Sequence, residues 1–203
     1  MLSFERTAEV LAQTLPEGSV ICGWSLGGLL AMRTAALAPQ RFKRLVLVGS
    51  TPRFTQADDW LHAQPAGLLA MFSAALASNP ANVLQRFVSL LNQGDTQART
   101  ISRAMNQQLL ASPLPDTPTL LAGLDWLRDV DLRPQLSRIT TPTLLIHGER
   151  DPLMPLPAAR WLAQQLPTAQ LEVISGAAHA PFITDPDAFA RRIGDFCHAP
   201  ALD

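Results

Sequence analysis

Val20-Ile21-Cys22-Gly23-Trp24-Ser25-Leu26-Gly27-Gly28 is the stretch that decides how this chain folds. Val20-Ile21-Cys22 is a short apolar run of β type, and Leu29-Leu30-Ala31-Met32-Arg33-Thr34-Ala35-Ala36-Leu37-Ala38 is helical in character. Between them, Gly23-Trp24-Ser25-Leu26-Gly27 fits G-x-S-x-G. A strand, a sharp turn and a helix in that order make a nucleophile elbow, which lifts a serine hydroxyl clear of the backbone. Glycines suit such a turn because it is strained and because neighbouring chain passes close to it. The helix start adds unpaired N–H groups and a positive dipole end beside Ser25. The amide of Leu26 is thereby placed to donate to an oxyanion. Ser25 is the candidate nucleophile; the alternative is a plain glycine-rich turn.

A serine needs a base, and the base needs an orienting acid. An elbow of this kind predicts the chain order Ser, then Asp or Glu, then His. Thr143-Leu144-Leu145-Ile146-His147 reads as a buried strand running into the loop Gly148-Glu149-Arg150-Asp151-Pro152-Leu153-Met154-Pro155. Leu171-Glu172-Val173-Ile174 is a further strand, followed by Ser175-Gly176-Ala177-Ala178-His179-Ala180-Pro181-Phe182. The carboxyl ends of parallel strands lie on one edge of a sheet. Ser25, Asp151 and His179 are therefore expected to converge there as catalytic residues. Asp58 and Asp59, after the strand Leu45-Val46-Leu47-Val48, compete for the role of acid. Glu149 is nearer its strand, but the proline-flanked Asp151 better fits a fixed loop position. His147 ends a strand and reads as packed near the site rather than as the base; His62 and His198 read as surface or cap residues.

The 203 residues suit one domain with a real core. An apolar content of 47% against 16% charged residues argues against disorder. The net charge of −1 makes no whole-chain case for nucleic-acid binding. Cys22, in a predicted core strand, and Cys197, in a predicted terminal helix, read as buried or incidental thiols rather than a disulfide framework. Met1-Leu2-Ser3-Phe4-Glu5-Arg6 lacks the apolar core of a signal peptide. No apolar run approaches the roughly 18 residues needed to span a membrane. There is no clustered Cys/His set for zinc and no Gly-rich phosphate loop, so neither metal nor cofactor is expected. These features agree with a cytoplasmic enzyme, and a monomer is the expected state.

The order of elements is interrupted. Residues 3–15 predict an amphipathic helix with Phe4, Ala8, Leu11 and Leu15 on one face. Strand 19–24, helix 27–38 and strand 44–49 follow. Residues 55–128 carry no strand signal and read as helices over Ala66–Leu76, Ala81–Leu91, Thr96–Leu110 and Thr117–Leu127, punctuated by Pro80, Pro113, Pro115 and Pro118. Alternation resumes with strand 143–147, helix 156–166, strand 170–174 and helix 186–197. The expected organisation is an α/β core from residues 1–54 and 129–203 with a helical lid over 55–128 that shapes a pocket at the carboxyl edge.

The elbow, the Gly148–Pro155 loop and Ala178-His179 together resemble the α/β-hydrolase fold. More narrowly the chain resembles the BioH-type carboxylesterases of biotin synthesis, the pimeloyl-[acyl-carrier protein] methyl ester esterases. Four stretches carry this: Gly23-Trp24-Ser25-Leu26-Gly27-Gly28-Leu29; Ser50-Thr51-Pro52-Arg53-Phe54 with Asp59-Trp60; Val130-Asp131-Leu132-Arg133; and Ala177-Ala178-His179-Ala180-Pro181-Phe182-Ile183. The resemblance implies a mostly parallel sheet with an inserted lid, and a serine esterase that frees the distal carboxylate of a carrier-bound pimeloyl chain through an acyl-enzyme. The chain would need an apolar channel, for which Trp24, Leu26 and Phe87 are candidates. Its acidic carrier protein would need basic residues, for which Arg86, Arg99 and Arg103 of the lid are candidates; Arg99 and Arg103 share one predicted helix face. Asn82, one turn before Arg86, thins that patch. The resemblance also implies earlier strands and a His-Gly loop supplying a second oxyanion N–H. This sequence has no such loop, so the fold is read as lacking its first strands, with the strand at Val20 left as an open edge. Two other readings stay open: a different serine esterase or lipase on the same fold, and an inactive remnant that keeps the lid.

Overall fold

The computed structural model describes residues 2–76 and 79–200. Among them, β1 (Val20–Trp24), β2 (Arg44–Val48), β3 (Thr143–Gly148) and β4 (Ala169–Ile174) form one sheet in the order β1-β2-β3-β4, each neighbouring pair parallel. The helices are α1 (Phe4–Thr14), α2 (Leu26–Leu37), α3 (Ala66–Leu76), α4 (Pro80–Leu91), α5 (Ala98–Ala111), α6 (Thr117–Asp129), α7 (Leu156–Gln165), α8 (Pro181–Thr184) and α9 (Pro186–His198). The fold is that of an α/β hydrolase, as the motifs imply. No helix among the described residues is long and apolar enough to cross a membrane.

β2 and β3 are buried along their whole length, as continuous apolar strands inside a parallel sheet should be. One face of the sheet presents Ile21, Leu45, Leu47 and Leu145 to a core completed by Leu29 and Met32 of α2, Phe4 of α1 and Leu162 of α7. The other presents Val46, Val48, Leu144 and Ile146 to Phe196 of α9, with Phe189 and Ile193 packed at the margin. Burying each such side chain contributes about 1.5–3 kcal/mol. α2 is apolar nearly all round because it lies between the sheet and α1. Its one charged residue, Arg33, reaches Glu5 at 2.7 Å and the Gln135 amide oxygen at 2.6 Å.

β1 alternates, with Ile21 and Gly23 buried and Val20, Cys22 and Trp24 exposed. This corrects the core reading of Cys22. α9 lies against β3 on that face, and the outer face of β1 is covered only in part, where Trp24 packs edge-on against Phe182 of α8 at 5.1 Å between centroids. Both cysteines are free thiols.

The helices between β2 and β3 fall within a few residues of where the sequence predicts them. The starts of α4 and α6 are set by caps. Asn79 and Asp116 accept hydrogen bonds from the amides of Asn82 and Thr119, and each helix has proline in its first turn. The two chain crossings that bound this block are joined. Arg53 and Asp131 form an antiparallel bridge, and the Leu132 amide donates to the Pro52 carbonyl at 2.9 Å. Two short elements were not predicted: α8 and a 3-10 helix over Arg133–Arg138.

Candidate active site

Ser25 sits between β1 and α2 with φ 55°, and among the described residues it alone, glycine apart, has positive φ. Such a backbone is costly for a side chain-bearing residue and marks a site held by its surroundings. Hydrogen bonds to both its backbone groups hold it. The Ser25 amide donates to the Val48 carbonyl at 2.9 Å, the Ser25 carbonyl takes the Gly28 amide at 2.9 Å, and Ser50 Oγ donates to the same carbonyl at 3.0 Å. The close passage expected of the glycines falls at Gly23 and Gly28. A Cβ on Gly23 would collide with the Gly27 backbone, and one on Gly28 with Ser50, whereas Gly27 faces open space. The Ser25 hydroxyl makes no capping bond to α2. Leu26 is the first residue of α2, so its amide has no acceptor within the helix.

Asp151 and His179 are brought together from separate loops past β3 and β4. His179 Nδ1 lies 2.7 Å from Asp151 Oδ2, and both side chains are almost wholly buried. Because a carboxylate accepts, Nδ1 carries the proton and Nε2 is left as the acceptor of a neutral ring. Nε2 is buried without a hydrogen-bond partner. Ser25 and His179 line one cavity but are not hydrogen-bonded to one another in this structure. The other oxygen of Asp151, Oδ1, accepts the amides of Leu153 and Met154, both at 2.9 Å, which fixes the carboxylate plane.

His147 packs beside this pair. Its Nε2–H donates to the Met154 carbonyl at 2.6 Å, 3.7 Å from Asp151 Oδ2. Burial holds the His147 imidazole below its ordinary pKa, outweighing the opposing pull of Asp151. Glu149 instead accepts from Ser175 and the Gly176 amide at the surface, and Asp59 pairs with Arg133 at 3.0 Å. Neither touches the histidine. His62 and His198 are exposed.

The cavity holds about 380 Å³. Trp24, Leu26 and Phe87 all line it, together with Phe72, Leu120 and Leu124, which the sequence reading did not single out. Those three lie on the cavity-facing sides of α3 and α6, where Phe72 meets Phe87 edge-on, a signal present in the helical spacing of their apolar residues. A more open cleft of about 640 Å³ lies between α1 and the end of α2, lined by Glu9, Gln13 and Arg41 among others. It belongs to the amino edge of the sheet, away from Ser25. Arg86, Arg99 and Arg103 are exposed and make no ion pair with a described residue. Arg86 borders a surface groove with Asn79 and Asn82, and Val83 is a wall of both that groove and the apolar cavity.

A family profile described as the alpha/beta hydrolase fold matches residues 1–186. The chain is 38% identical over 187 residues to a pimeloyl-[acyl-carrier protein] methyl ester esterase of Nitrosomonas europaea, covering 92% of this chain and 74% of the relative. It is 40% identical over 195 residues to the protein of the same name in Vibrio parahaemolyticus, covering 95% and 76%. Among solved structures, an esterase from Exiguobacterium antarcticum superposes with a TM-score of 0.86 over 97% of this chain and 74% of that one. At 20% identity that likeness speaks for the fold alone.

Proposed function

This chain belongs to the alpha/beta hydrolase fold family and, within it, to the pimeloyl-[acyl-carrier protein] methyl ester esterases, and from that premise we propose a Ser-His-Asp mechanism acting on that ester. It is a carboxylic ester hydrolase. The observation that carries the mechanism is the His179–Asp151 contact at 2.7 Å, with the opposite ring nitrogen bare in a buried setting beside the cavity that Ser25 also lines.

Ser25 Oγ attacks the methyl ester carbonyl while His179 Nε2 takes the hydroxyl proton. The Leu26 amide donates to the developing oxyanion, a term of about 2.7–4 kcal/mol for a well-placed donor. The C–O bond to the methoxy group breaks, His179 returns its proton, and methanol leaves. Water then attacks the acyl-enzyme with His179 again accepting a proton. Ser25 is regenerated, and the freed distal carboxylic acid ionises. Asp151 keeps the imidazole in one tautomer and stabilises its charged form.

Apolar walls suit the methylene chain and the uncharged ester end of the substrate. The block α3–α6 acts as the lid over that channel, with residues 1–54 and 129–203 forming the core. Arg86, Arg99 and Arg103 on its outer side are the docking patch for the acidic carrier. Water apart, each step uses the chain's own groups. A second reading, an esterase of small free esters, is favoured because among the described residues no Lys, Arg, Asp or Glu side chain lines the cavity to recognise a particular acyl terminus. Labelling with a fluorophosphonate probe tests the mechanism, and methanol release from the carrier-bound methyl ester tests the substrate. Wild type should label at Ser25 and release methanol, and Ser25→Ala should do neither. Labelling with turnover of small esters but not of carrier-bound ester selects the second reading, and a folded chain that never labels sinks both.

A further inference from the structure

We propose that Asp95, in the turn between α4 and α5, is a positioning residue for His179. The proposal rests on the reading of His179 as the general base.

Asp95 is buried, with 8% of its surface exposed. Its Oδ2 accepts from the Ala178 amide at 2.8 Å and from Thr184 Oγ1 at 2.7 Å, and its Oδ1 from the Gln97 amide at 2.8 Å. No cation pairs with it among the described residues. A buried carboxylate satisfied only by neutral donors is costly to keep, and it forms stronger hydrogen bonds than an amide would. Three donors converge on two oxygens. Asparagine at the same place has one acceptor oxygen and would turn an N–H₂ toward a donor.

The donors identify what Asp95 holds. Ala178 immediately precedes His179, and the next amide along, that of His179 itself, donates to the carbonyl of Leu91 at the end of α4, at 3.1 Å. The Thr96 amide donates to the Gly176 carbonyl at 3.0 Å, and the Gln97 side chain to the Thr184 carbonyl at 2.9 Å. β4 stops at Ile174, so the loop carrying His179 has left the sheet ladder before it reaches the histidine. The backbone of that loop hangs from the α4–α5 turn, while its imidazole is tied to Asp151 beyond β3. The imidazole is held by Asp151, while the backbone that carries it is held by the α4–α5 turn, with Asp95 as its acidic member, and also by Trp24 at the His179 carbonyl and the Arg150 amide at the Ala177 carbonyl. Displacing a catalytic group by about 1 Å from outside the reacting centre is enough to cost roughly 10²-fold in rate.

Asp95→Asn and Thr184→Val test this against His179→Ala, with turnover of a short-chain p-nitrophenyl ester, thermal melting, and the downfield proton NMR signal of His179 Nδ1–H. Asp95→Asn should lower kcat by about 10–100-fold with KM within about twofold, and should shift or broaden the Nδ1–H signal in protein that is still folded. Thr184→Val, which removes one donor and leaves the carboxylate, should do the same to a smaller degree. A folded Asp95→Asn with kcat within about twofold of wild type and an unmoved Nδ1–H signal overturns the proposal. If Asp95→Asn does not fold, Thr184→Val decides by the same two readouts. His179→Ala separates the two levels. If it leaves hydrolysis intact, the assignment of the base is wrong; if it abolishes hydrolysis while Asp95→Asn does not, only the positioning role fails.

Discussion

Trp24 Nε1–H donates to the backbone carbonyl of His179 at 2.8 Å, and the two rings lie 5.5 Å apart between centroids. The residue before the candidate nucleophile thus supports the backbone of the candidate base. Trp24→Phe keeps an aromatic wall and removes the donor, leaving the His179 carbonyl short of a partner at a cost of about 1 kcal/mol. We expect kcat on a short soluble ester to fall several-fold, with a smaller change in KM because the ring face remains. A Trp24→Phe enzyme with wild-type kcat would show that this bond does not position the histidine.

Gly49 follows β2 with φ +47°, and a Cβ built there would lie 3.1 Å from the His179 carbonyl oxygen, 3.2 Å from its Nδ1 and 3.3 Å from Asp151 Oδ2. Gly49→Ala therefore combines a left-handed backbone penalty of about 1–2 kcal/mol with pressure on the His179–Asp151 contact. The expected result is a lower urea midpoint together with a loss of activity larger than the stability change explains. Full activity in the folded variant would mean that the neighbouring loops yield easily.

The elements and the meeting of Asp151 with His179 were legible because their signals are local or ordered along the chain. β1, the elbow and α2 are written in consecutive residues, and proline and Asp or Asn caps mark the starts of α4, α6 and α9. Parallel strands then carry both loops to one edge. What escaped depends on distant pairings. Asp95 lies 83 positions from Ala178, and nothing near it in sequence announces that partner. Cys22 reads as core because β1 is apolar on both faces, but its exposure depends on how far α9 reaches across the sheet. α8 is too short to show periodicity.

His147 makes the fold sensitive to mild acid. Burial lowers its pKa below the ordinary 6.5, with Asp151 pulling the other way and His179 adding to the depression. Below about pH 6.5 the unfolded chain therefore binds a proton that the native state does not. By linkage the stabilising contribution is full above that value and is lost as pH falls toward the lower folded value. Urea midpoints should drop between about pH 7.5 and about pH 5 in wild type, and His147→Gln should flatten that slope. Parallel slopes for the two proteins would remove His147 as the cause.

Asp131 ties together the two crossings into the helical block, accepting from Arg53 at 2.8 Å and from Arg133 at 2.7 Å. Burial alone would raise its pKa, but the hydrogen bonds from Arg133 and Arg53 outweigh it and hold the carboxyl at about 2. A depressed carboxylate stabilises the fold above its unfolded pKa of 3.8, and that share disappears as pH falls through about 2. Asp131→Asn should cost about 1–2 kcal/mol at neutral pH, measured by urea unfolding. The gap from wild type should narrow below pH 3.8 and close near pH 2. A gap that does not depend on pH would assign the loss to shape rather than charge.

Arg99 and Arg103 are exposed on α5 without an ion pair to a described residue, and Arg86 stands on α4, which packs against α5. Unpaired surface arginines gain little from the fold itself, so their charge is available to an acidic partner at long range. Such attraction is screened over about 8 Å at physiological salt. Replacing both α5 residues, Arg99→Glu with Arg103→Glu, reverses the local field. The double variant should raise KM for carrier-bound ester by about tenfold, an effect that fades as salt is added. On the docking proposal, the efficiency ratio between carrier-bound and small soluble ester should fall by a similar factor, because a small ester has no carrier to be attracted. Equal losses on both substrates, or a loss indifferent to ionic strength, would remove these arginines from docking and leave them as solvated charges on the helix.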